Sequence, residues 1–171
     1  MEKTLTVTEC AVEVGRMARR TALLYYYFAS TLIQELGEEE GRRLIAKSIW
    51  AYGEHCGREI RQAVEEMGLP LTQENFDKIP DLPAIGWETS EISSEDGSSH
   101  AVATYCPLAA VWKQMGPEAQ RLGRSYCYVD QAKQNAFNPE EDFFHARNVL
   151  DDDPYCEFVV RPHLANGEIH S

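Results

Sequence analysis

Two long segments with apolar side chains at helical spacing occupy the first 67 residues of the chain. The first starts at Thr8, a residue type that caps helices, and runs to residue 36 before Gly37. The second covers residues 38–67 and stops at Gly68. Their apolar positions include Val14, Met17, Ala18, Leu24, Tyr25, Phe28, Leu32 and Leu36, then Leu44, Ile45, Ile49, Tyr52, Cys56, Ile60 and Val64. This period predicts an antiparallel helical hairpin over residues 8–67.

The pattern changes to short strand-like runs after Gly86. Residues 87–93 and 100–105 flank Asp96-Gly97, which predicts a β-hairpin with its turn there. Residues 142–149 and 155–161 predict a second hairpin, and helices beginning at Pro107 and Pro117 fill the interval. The prediction is therefore an α+β fold: the helical hairpin packs on a roughly four-stranded antiparallel sheet, with helices between its two hairpins. We expect one domain over residues 1–171, with 162–171 as a loose tail.

Composition and charge narrow the class of partner. The chain has 171 residues, is 43% hydrophobic and carries a net charge of -12. Such an acidic chain argues against nucleic acid or an anionic membrane as a partner. Its longest apolar run, residues 21–29, is about half of a membrane span, and residues 1–5 lack a secretory pattern. Together with five cysteines, an odd number, this predicts a cytoplasmic protein whose thiols are free, reactive or metal-bound.

Cys127 and Asp130 are the first candidates for chemistry. They lie three residues apart in a predicted helix and therefore share a face, so that both can point into one cavity. The alternative is a buried thiol that packs like a small hydrophobic group, with an exposed aspartate beside it.

His145 and Cys156 lie on the two arms of the second predicted hairpin. They face each other if Arg147 pairs with Pro154, whereas a tighter turn separates them. A histidine between apolar strand residues is also a common core residue. Cys106 directly precedes the helix that begins at Pro107, where the positive end of the helix dipole lowers a thiol pKa. That position suits either a nucleophile or a metal ligand.

Zinc is an open alternative for these side chains. Cys106, Cys127, His145 and Cys156 are ligand types that zinc prefers, although they are separated by 21, 18 and 11 residues, unlike the short pairs of zinc fingers. Tyr25 is interpreted as a core and groove residue whose hydroxyl can reach a pocket.

Several motifs together resemble the L-2-amino-thiazoline-4-carboxylic acid hydrolase family. They are Leu23-Leu-Tyr25, Trp50-Ala-Tyr-Gly53, Gly68-Leu-Pro-Leu-Thr72, Tyr105-Cys-Pro-Leu-Ala109, Tyr126-Cys-Tyr-Val-Asp130, Phe137-Asn-Pro139 and Asp153-Pro-Tyr-Cys-Glu-Phe158. The resemblance implies a hydrolase that opens a thiazoline-like ring at a non-peptide carbon–nitrogen or carbon–sulfur bond. An N-carbamoyl-cysteine type of product is expected.

A weaker likeness is to small-molecule-binding domains of the 4-vinyl reductase type. In that pattern Cys127, Asp142, His145 and Cys156 take the places of zinc ligands, with histidine where the pattern has cysteine. It implies a different class of function, a non-catalytic sensor or binding domain with a structural zinc.

Two catalytic routes remain open for the hydrolase. In one, zinc on Cys127, His145 and Cys156 activates a water molecule and Asp130 accepts its proton. In the other, Cys106 attacks as a thiolate with His145 as acid and base. The substrate carboxylate is expected to need a cation, for which Arg20, Arg147 and Arg161 are candidates alongside the Tyr25 hydroxyl. We expect a small-molecule substrate as the partner, with a homo-oligomer as an open alternative.

Overall fold

The computed structural model describes residues 4–93 and 99–162. Helices α1 (Val7–Leu36) and α2 (Glu38–Glu66) form the predicted hairpin around Gly37, whose φ of 82° favours glycine. Helix α1 begins two residues earlier than expected because Thr6, not Thr8, is its cap. The Thr6 hydroxyl accepts the Glu9 amide while the Glu9 carboxylate accepts the Thr6 amide, a capping box.

Short helices and four strands follow the hairpin. They are α3 (Gln73–Phe76), β1 (Glu88–Ser93), β2 (Ser99–Tyr105), α4 (Pro107–Met115), α5 (Pro117–Tyr126), α6 (Tyr128–Phe137), β3 (Glu141–Arg147), a 3₁₀ turn (Val149–Asp151) and β4 (Cys156–Pro162). The helix predicted after Pro117 is thus broken at Cys127, which joins α5 to α6.

The sheet is antiparallel with strand order β1-β2-β4-β3, so the predicted α+β fold is confirmed. Of the registers that the sequence left open, the one in which Arg147 pairs with Pro154 is not formed, so His145 and Cys156 are separated. Arg147 pairs with Glu157 and His145 with Phe158, with an irregularity between His145 and Arg147. The expected turn at Asp96-Gly97 and the expected tail after residue 162 lie outside the described residues.

Helix α6 lies between α2 and the sheet, packing on α2 on one side and on β3 on the other. Two glycines of α2 make the first contact close: a methyl group at Gly57 would overlap the Lys133 carbonyl oxygen, and one at Gly53 would lie 2.5 Å from the Val129 carbonyl oxygen. The helical hairpin therefore reaches the sheet through α6, an intermediate layer that the sequence did not indicate.

The buried face of α1 is narrower than its apolar pattern suggested. Ala18, Ala22 and Ala29 are buried, whereas Met17, Leu24 and Phe28, which share the predicted apolar face, are more than 60% exposed. Small residues face the interior because α2 and α4 both pack on this helix. Within the described residues, no helix has the length and apolar character that crossing a membrane requires.

Candidate active site

Asp130, in the first turn of α6, forms the centre of a chain of charged side chains. Its carboxylate lies 3.4 Å from His145 Nε2 and 3.6 Å from Lys133 Nζ, and the same Nζ lies 2.6 Å from Asp81 Oδ2. The three-residue spacing brings Lys133 to the same side of α6 as Asp130, while the sheet supplies His145. His145 and Lys133 are buried, but the Asp130 side chain keeps 31% of its exposure, so that a reactant can reach it.

This chain of charges keeps Asp130 ionised. Burial alone would raise the pKa of Asp130, but the hydrogen bond from His145 and the Lys133 charge outweigh it, so the pKa lies below its ordinary value. Burial alone would likewise lower the pKa of Lys133, and the charges of Asp130 and Asp81 instead raise it. The centre therefore holds a stable carboxylate.

His145 projects from β3 onto the face of the sheet that meets α6. Its imidazole packs edge-on against Phe143 and Phe158, with ring centroids 5.5 and 4.9 Å away. These aromatic rings fix the imidazole orientation, so that Nε2 faces Asp130. The histidine is therefore a core residue whose Nε2 lies close to a carboxylate.

Cys127 lies at the junction of α5 and α6, one turn before Asp130. Its thiol points to the Gly123 carbonyl oxygen at 3.8 Å. Burial, followed by the Asp130 charge, raises the pKa of this thiol strongly, while Asn148 and Arg124 act in the opposite direction. The predicted proximity of Cys127 to Asp130 is thus present, and the thiol is protonated at neutral pH.

Cys106 occupies the N-cap position of α4, as its place before Pro107 indicated. The amides of Ala109 and Leu108 and the Trp87 side chain favour its thiolate, although the Cys106 side chain makes no capping hydrogen bond. The expected lowering of its pKa is nevertheless wrong, because the cost of burial exceeds these contributions and the pKa is raised. The N-cap position of α4 therefore holds a thiol that is protonated at rest.

Cys156, at the start of β4, completes the group. The Val149 amide donates a hydrogen bond to its sulfur at 3.4 Å. Burial raises the pKa of Cys156, and the Asp130 charge raises it further. Cys156 and His145 do not pair directly, yet the Asp130 charge raises the pKa of Cys106, Cys127 and Cys156 alike. One imidazole therefore contacts the carboxylate, and three thiols lie within reach of its charge.

Zinc does not fit this arrangement as described. Across residues 4–93 and 99–162, no group of three or more histidine, cysteine, aspartate or glutamate side chains is arranged to hold a metal ion. His145 Nε2 is directed at Asp130, and Asp142 lies on the opposite face of β3 from His145 because strand residues alternate. Zinc binding by Cys127, His145 and Cys156 stays a prediction from the sequence.

The predicted substrate-binding residues are dispersed. Tyr25 lies near Cys127, but its hydroxyl donates to the Leu122 carbonyl oxygen at 2.8 Å and its ring packs on Trp112 and Tyr126. The exposed Arg20 side chain lies on α1.

The two candidate arginines of the second hairpin also have partners on the sheet. Arg147 lies 3.4 Å from the Glu157 carboxylate and over the Tyr155 ring. Arg161 lies over the ring of Phe144. These contacts assign both side chains to the sheet surface.

Four more residues belong to this region and were not predicted from the sequence: Lys133, Asp81, Arg124 and Asn148. Helical spacing could have indicated Lys133, because it lies one turn after Asp130 on the same helix. The same spacing could have indicated Arg124, which lies three residues before Cys127. Asp81 and Asn148 lie in irregular connections, where no periodicity indicates which way a side chain points.

An open groove of about 680 Å³ lies beside this group. Its walls include Arg42, Arg121 and Arg124, together with Tyr128 and Asp151. In a chain of net charge -12, three arginines along one groove are a local concentration of positive charge. Glu38 and Asp151 offset part of it, since Glu38 lies close to both Arg42 and Arg121 and Asp151 lies close to Arg124.

Comparison with known proteins gives a family match and similar solved structures. The family model described as L-2-amino-thiazoline-4-carboxylic acid hydrolase matches residues 16–160. No curated protein matches the chain. The crystal structure of a trafficking protein particle complex subunit 3 from Naegleria fowleri, covalently bound to palmitic acid, is similar with a TM-score of 0.53 and 14% identity, over 88% of this chain and 98% of that one. At this identity the similarity concerns the fold alone.

Proposed function

The chain belongs to the L-2-amino-thiazoline-4-carboxylic acid hydrolase family, and from this premise we propose that it opens the substrate ring at the group around Asp130. Membership makes the chain a hydrolase that acts on a non-peptide bond of a thiazoline ring. The main support for this location is that the Asp130 carboxylate lies 3.4 Å from His145 Nε2 and that its charge raises the pKa of three thiols. This group combines nucleophiles with a proton acceptor that is partly open to solvent.

Cys106 is the nucleophile in this proposal. The ring carbon between sulfur and two nitrogens is electrophilic, and Cys106 lies at the N-terminus of α4, where the helix dipole stabilises negative charge as it develops on the sulfur. Because the thiol is protonated at rest, its proton has to leave as the sulfur attacks. The Asp130–His145 pair takes that proton.

The bond changes balance with one water molecule. The Cys106 sulfur bonds to the ring carbon, the bond from that carbon to the ring sulfur breaks, and the ring sulfur takes a proton. Water then adds to the same carbon, the bond to Cys106 breaks, and the water oxygen becomes the carbonyl oxygen of the product. One proton of the water returns to the cysteine, and the former ring nitrogen takes the other. The product is of the N-carbamoyl-cysteine type and carries a new free thiol.

The first experiment measures that thiol. Purified protein is incubated with L-2-amino-thiazoline-4-carboxylate, and new thiol is followed together with new primary amine, which a break at the ring nitrogen would release instead. Repeated turnover with thiol release supports the proposal. Saturable binding without any product would contradict it and favour a binding domain.

Substitutions test the proposed roles of Asp130 and Cys106. We expect Asp130→Asn and Cys106→Ser to lower kcat by at least about 100-fold, as the loss of a proton acceptor or a nucleophile does. Glu140→Gln, an exposed carboxylate in the connection between α6 and β3, is the matched control and should keep full activity. Full activity in Cys106→Ser with loss in Cys127→Ser would move the nucleophile to Cys127.

Metal analysis separates the thiolate route from the zinc route. The thiolate route predicts that protein dialysed against a chelator, with zinc absent by elemental analysis, keeps its kcat. A loss of activity that added zinc restores would contradict this route and favour zinc on Cys127, His145 and Cys156.

A further inference from the structure

Two buried nitrogen atoms beside the proposed active site have no hydrogen-bond partner among the described residues. One is Nη1 of Arg124 and the other is Nδ2 of Asn148. Asn148 is only 1% exposed, so its amide cannot turn to bulk water. A buried donor without an acceptor costs free energy, which makes two in one region an unusual feature that a bound acceptor would relieve.

Each side chain has one other polar atom in a hydrogen bond. Arg124 Nε donates to Asp151 at 2.6 Å, and Asn148 Oδ1 accepts the Leu150 amide at 2.9 Å. These bonds hold the guanidinium and the amide in fixed orientations. The free donors are therefore oriented by the fold, and because both atoms are buried, a ligand has to displace the groups that cover them before it can accept from them.

Cys127 lies next to both donors. Arg124 lies three residues before Cys127, and the Arg124 charge and the Asn148 side chain both lower the thiol pKa. Val149, the residue after Asn148, donates its amide to the Cys156 sulfur at 3.4 Å, so the 3₁₀ turn lies against the same thiols. The two donors consequently lie at the edge of the group around Asp130.

Arg124 also connects this region to the solvent. Its side chain is 24% exposed and forms part of the wall of the open groove, where Arg121 and Arg42 add positive charge. An anionic ligand in the groove would meet the guanidinium first. This side of the site is thus the one that suits a negative group, because Asp130 on the other side would repel it.

We propose that Arg124 and Asn148 form the subsite that holds the carboxylate of the substrate. The inference rests on the proposed function, since it assigns the negative group of a thiazoline carboxylate. A guanidinium and an amide can each donate to a carboxylate oxygen, and the ring then extends toward the thiols and Asp130. Arg124, one turn before Cys127, takes this role in place of Arg20 and Arg147, which the sequence had suggested.

The test compares L-2-amino-thiazoline-4-carboxylate with its primary carboxamide, which has the same ring and no negative charge. Wild-type protein should prefer the carboxylate in kcat/KM by about 10-fold to 100-fold, the range for a charged hydrogen bond. Arg124→Gln should abolish that preference, mainly through a higher KM for the carboxylate. Asn148→Asp, which keeps the oxygen that accepts the Leu150 amide and replaces the donor by a charge, should abolish it as well.

Two controls separate this role from a structural one. Asp151→Asn removes the negative charge of the ion pair but keeps an oxygen that can accept from Arg124 Nε, so the guanidinium stays in place. Arg121→Gln removes a neighbouring charge of the groove. Both should keep the preference for the carboxylate. Loss of the preference in Asp151→Asn to the same extent as in Arg124→Gln, or its retention in Arg124→Gln, would overturn the subsite.

The affinity of the protein for the same two compounds, measured by calorimetry, tests the subsite without requiring hydrolysis. If wild-type protein hydrolyses neither compound, the proposed function fails, and the subsite is then judged by binding alone. Tighter binding of the carboxylate that is lost in Arg124→Gln supports the subsite. Equal binding of both compounds by wild-type protein contradicts it.

Discussion

At the scale of single residues, the main feature of the site is that its carboxylate is stabilised as an ion whereas its thiols are not. Asp130 has a lowered pKa, while Cys106, Cys127 and Cys156 have raised ones, with burial as the largest cause for each thiol. A nucleophile in this setting depends on a neighbouring base and not on a resting thiolate. Catalysis and simple thiol reactivity should therefore differ in their response to pH.

The first prediction concerns alkylation of Cys106 by iodoacetamide. Because only the thiolate reacts and the pKa of this thiol is raised, its alkylation rate should still be increasing at pH 9. Peptide mass spectrometry after timed labelling measures the rate at each pH. Protein unfolded in urea is the control, where the same cysteine should titrate near the ordinary value of about 8.5. A rate that levels off below pH 8 in folded protein would contradict the raised pKa.

Sequence spacing could predict part of this site. Cys127 and Asp130 are near each other because one helical turn joins them, and the position of Cys106 follows from Pro107. The sign of the Cys106 pKa could not be predicted, since burial depends on which elements cover the thiol. Nor could Asn148, whose amide direction is set by the irregular chain before the 3₁₀ turn.

At the scale of elements, the contact between α2 and α6 sets the position of the active-site helix. Gly53 and Gly57 allow the two backbones to approach closely, so Asp130 and Lys133 are held at a fixed depth between α2 and β3. The two glycines lie one turn apart inside a helix, where glycine costs stability relative to alanine. Their presence therefore favours a packing role.

The second prediction concerns Gly57→Ala. The new methyl group would overlap the Lys133 carbonyl oxygen, a backbone atom that cannot move alone, so α6 has to shift. We expect the free energy of unfolding to fall by about 2 kcal/mol, measured by urea denaturation. Thiazoline hydrolysis should fall as well, because Asp130 moves with the helix.

Gly15→Ala is the matched control for that prediction. A methyl group at Gly15 in α1 has no atom within 4 Å, so only the better helix propensity of alanine remains. We expect the free energy of unfolding to rise by about 0.5 kcal/mol. Equal effects of the two substitutions would show that the contact between α2 and α6 does not restrict residue 57.

The second hairpin shows why register is harder to predict than strand position. Strands β3 and β4 lie close to their predicted ranges, but the 3₁₀ turn and the irregularity near Arg147 move the pairing by two residues. His145 consequently faces Phe158 and not Cys156. Hydrophobic alternation fixes which face a residue occupies, whereas the loop conformation fixes its partner.

At the scale of the whole molecule, the fold class follows from the sequence, but the order of layers does not. Helical and strand periods separate the hairpin from the sheet, which is enough to predict the α+β class. The intermediate position of α6 depends on a contact between Gly57 and Lys133, which lie far apart in sequence. That layer is also what brings the connection containing Asp81, helix α6 and β3 into one chain of charges.

The last prediction tests this chain of charges as a source of global stability. Asp130, with its lowered pKa, contributes stability above the ordinary aspartate pKa of about 3.9 and loses it as pH falls through its folded pKa. Lys133→Met leaves Asp130 and Asp81 without their shared cation, so at pH 7 the free energy of unfolding should fall by about 2 kcal/mol. At pH 3 the loss should shrink, because Asp130 of the variant, without its cation, becomes protonated and needs no cation. Urea denaturation at both pH values measures this, with exposed Lys47→Met correcting for the change in net charge. A loss at pH 3 as large as that at pH 7 would mean that Lys133 stabilises the fold by the packing of its buried side chain and not by its ion pairs.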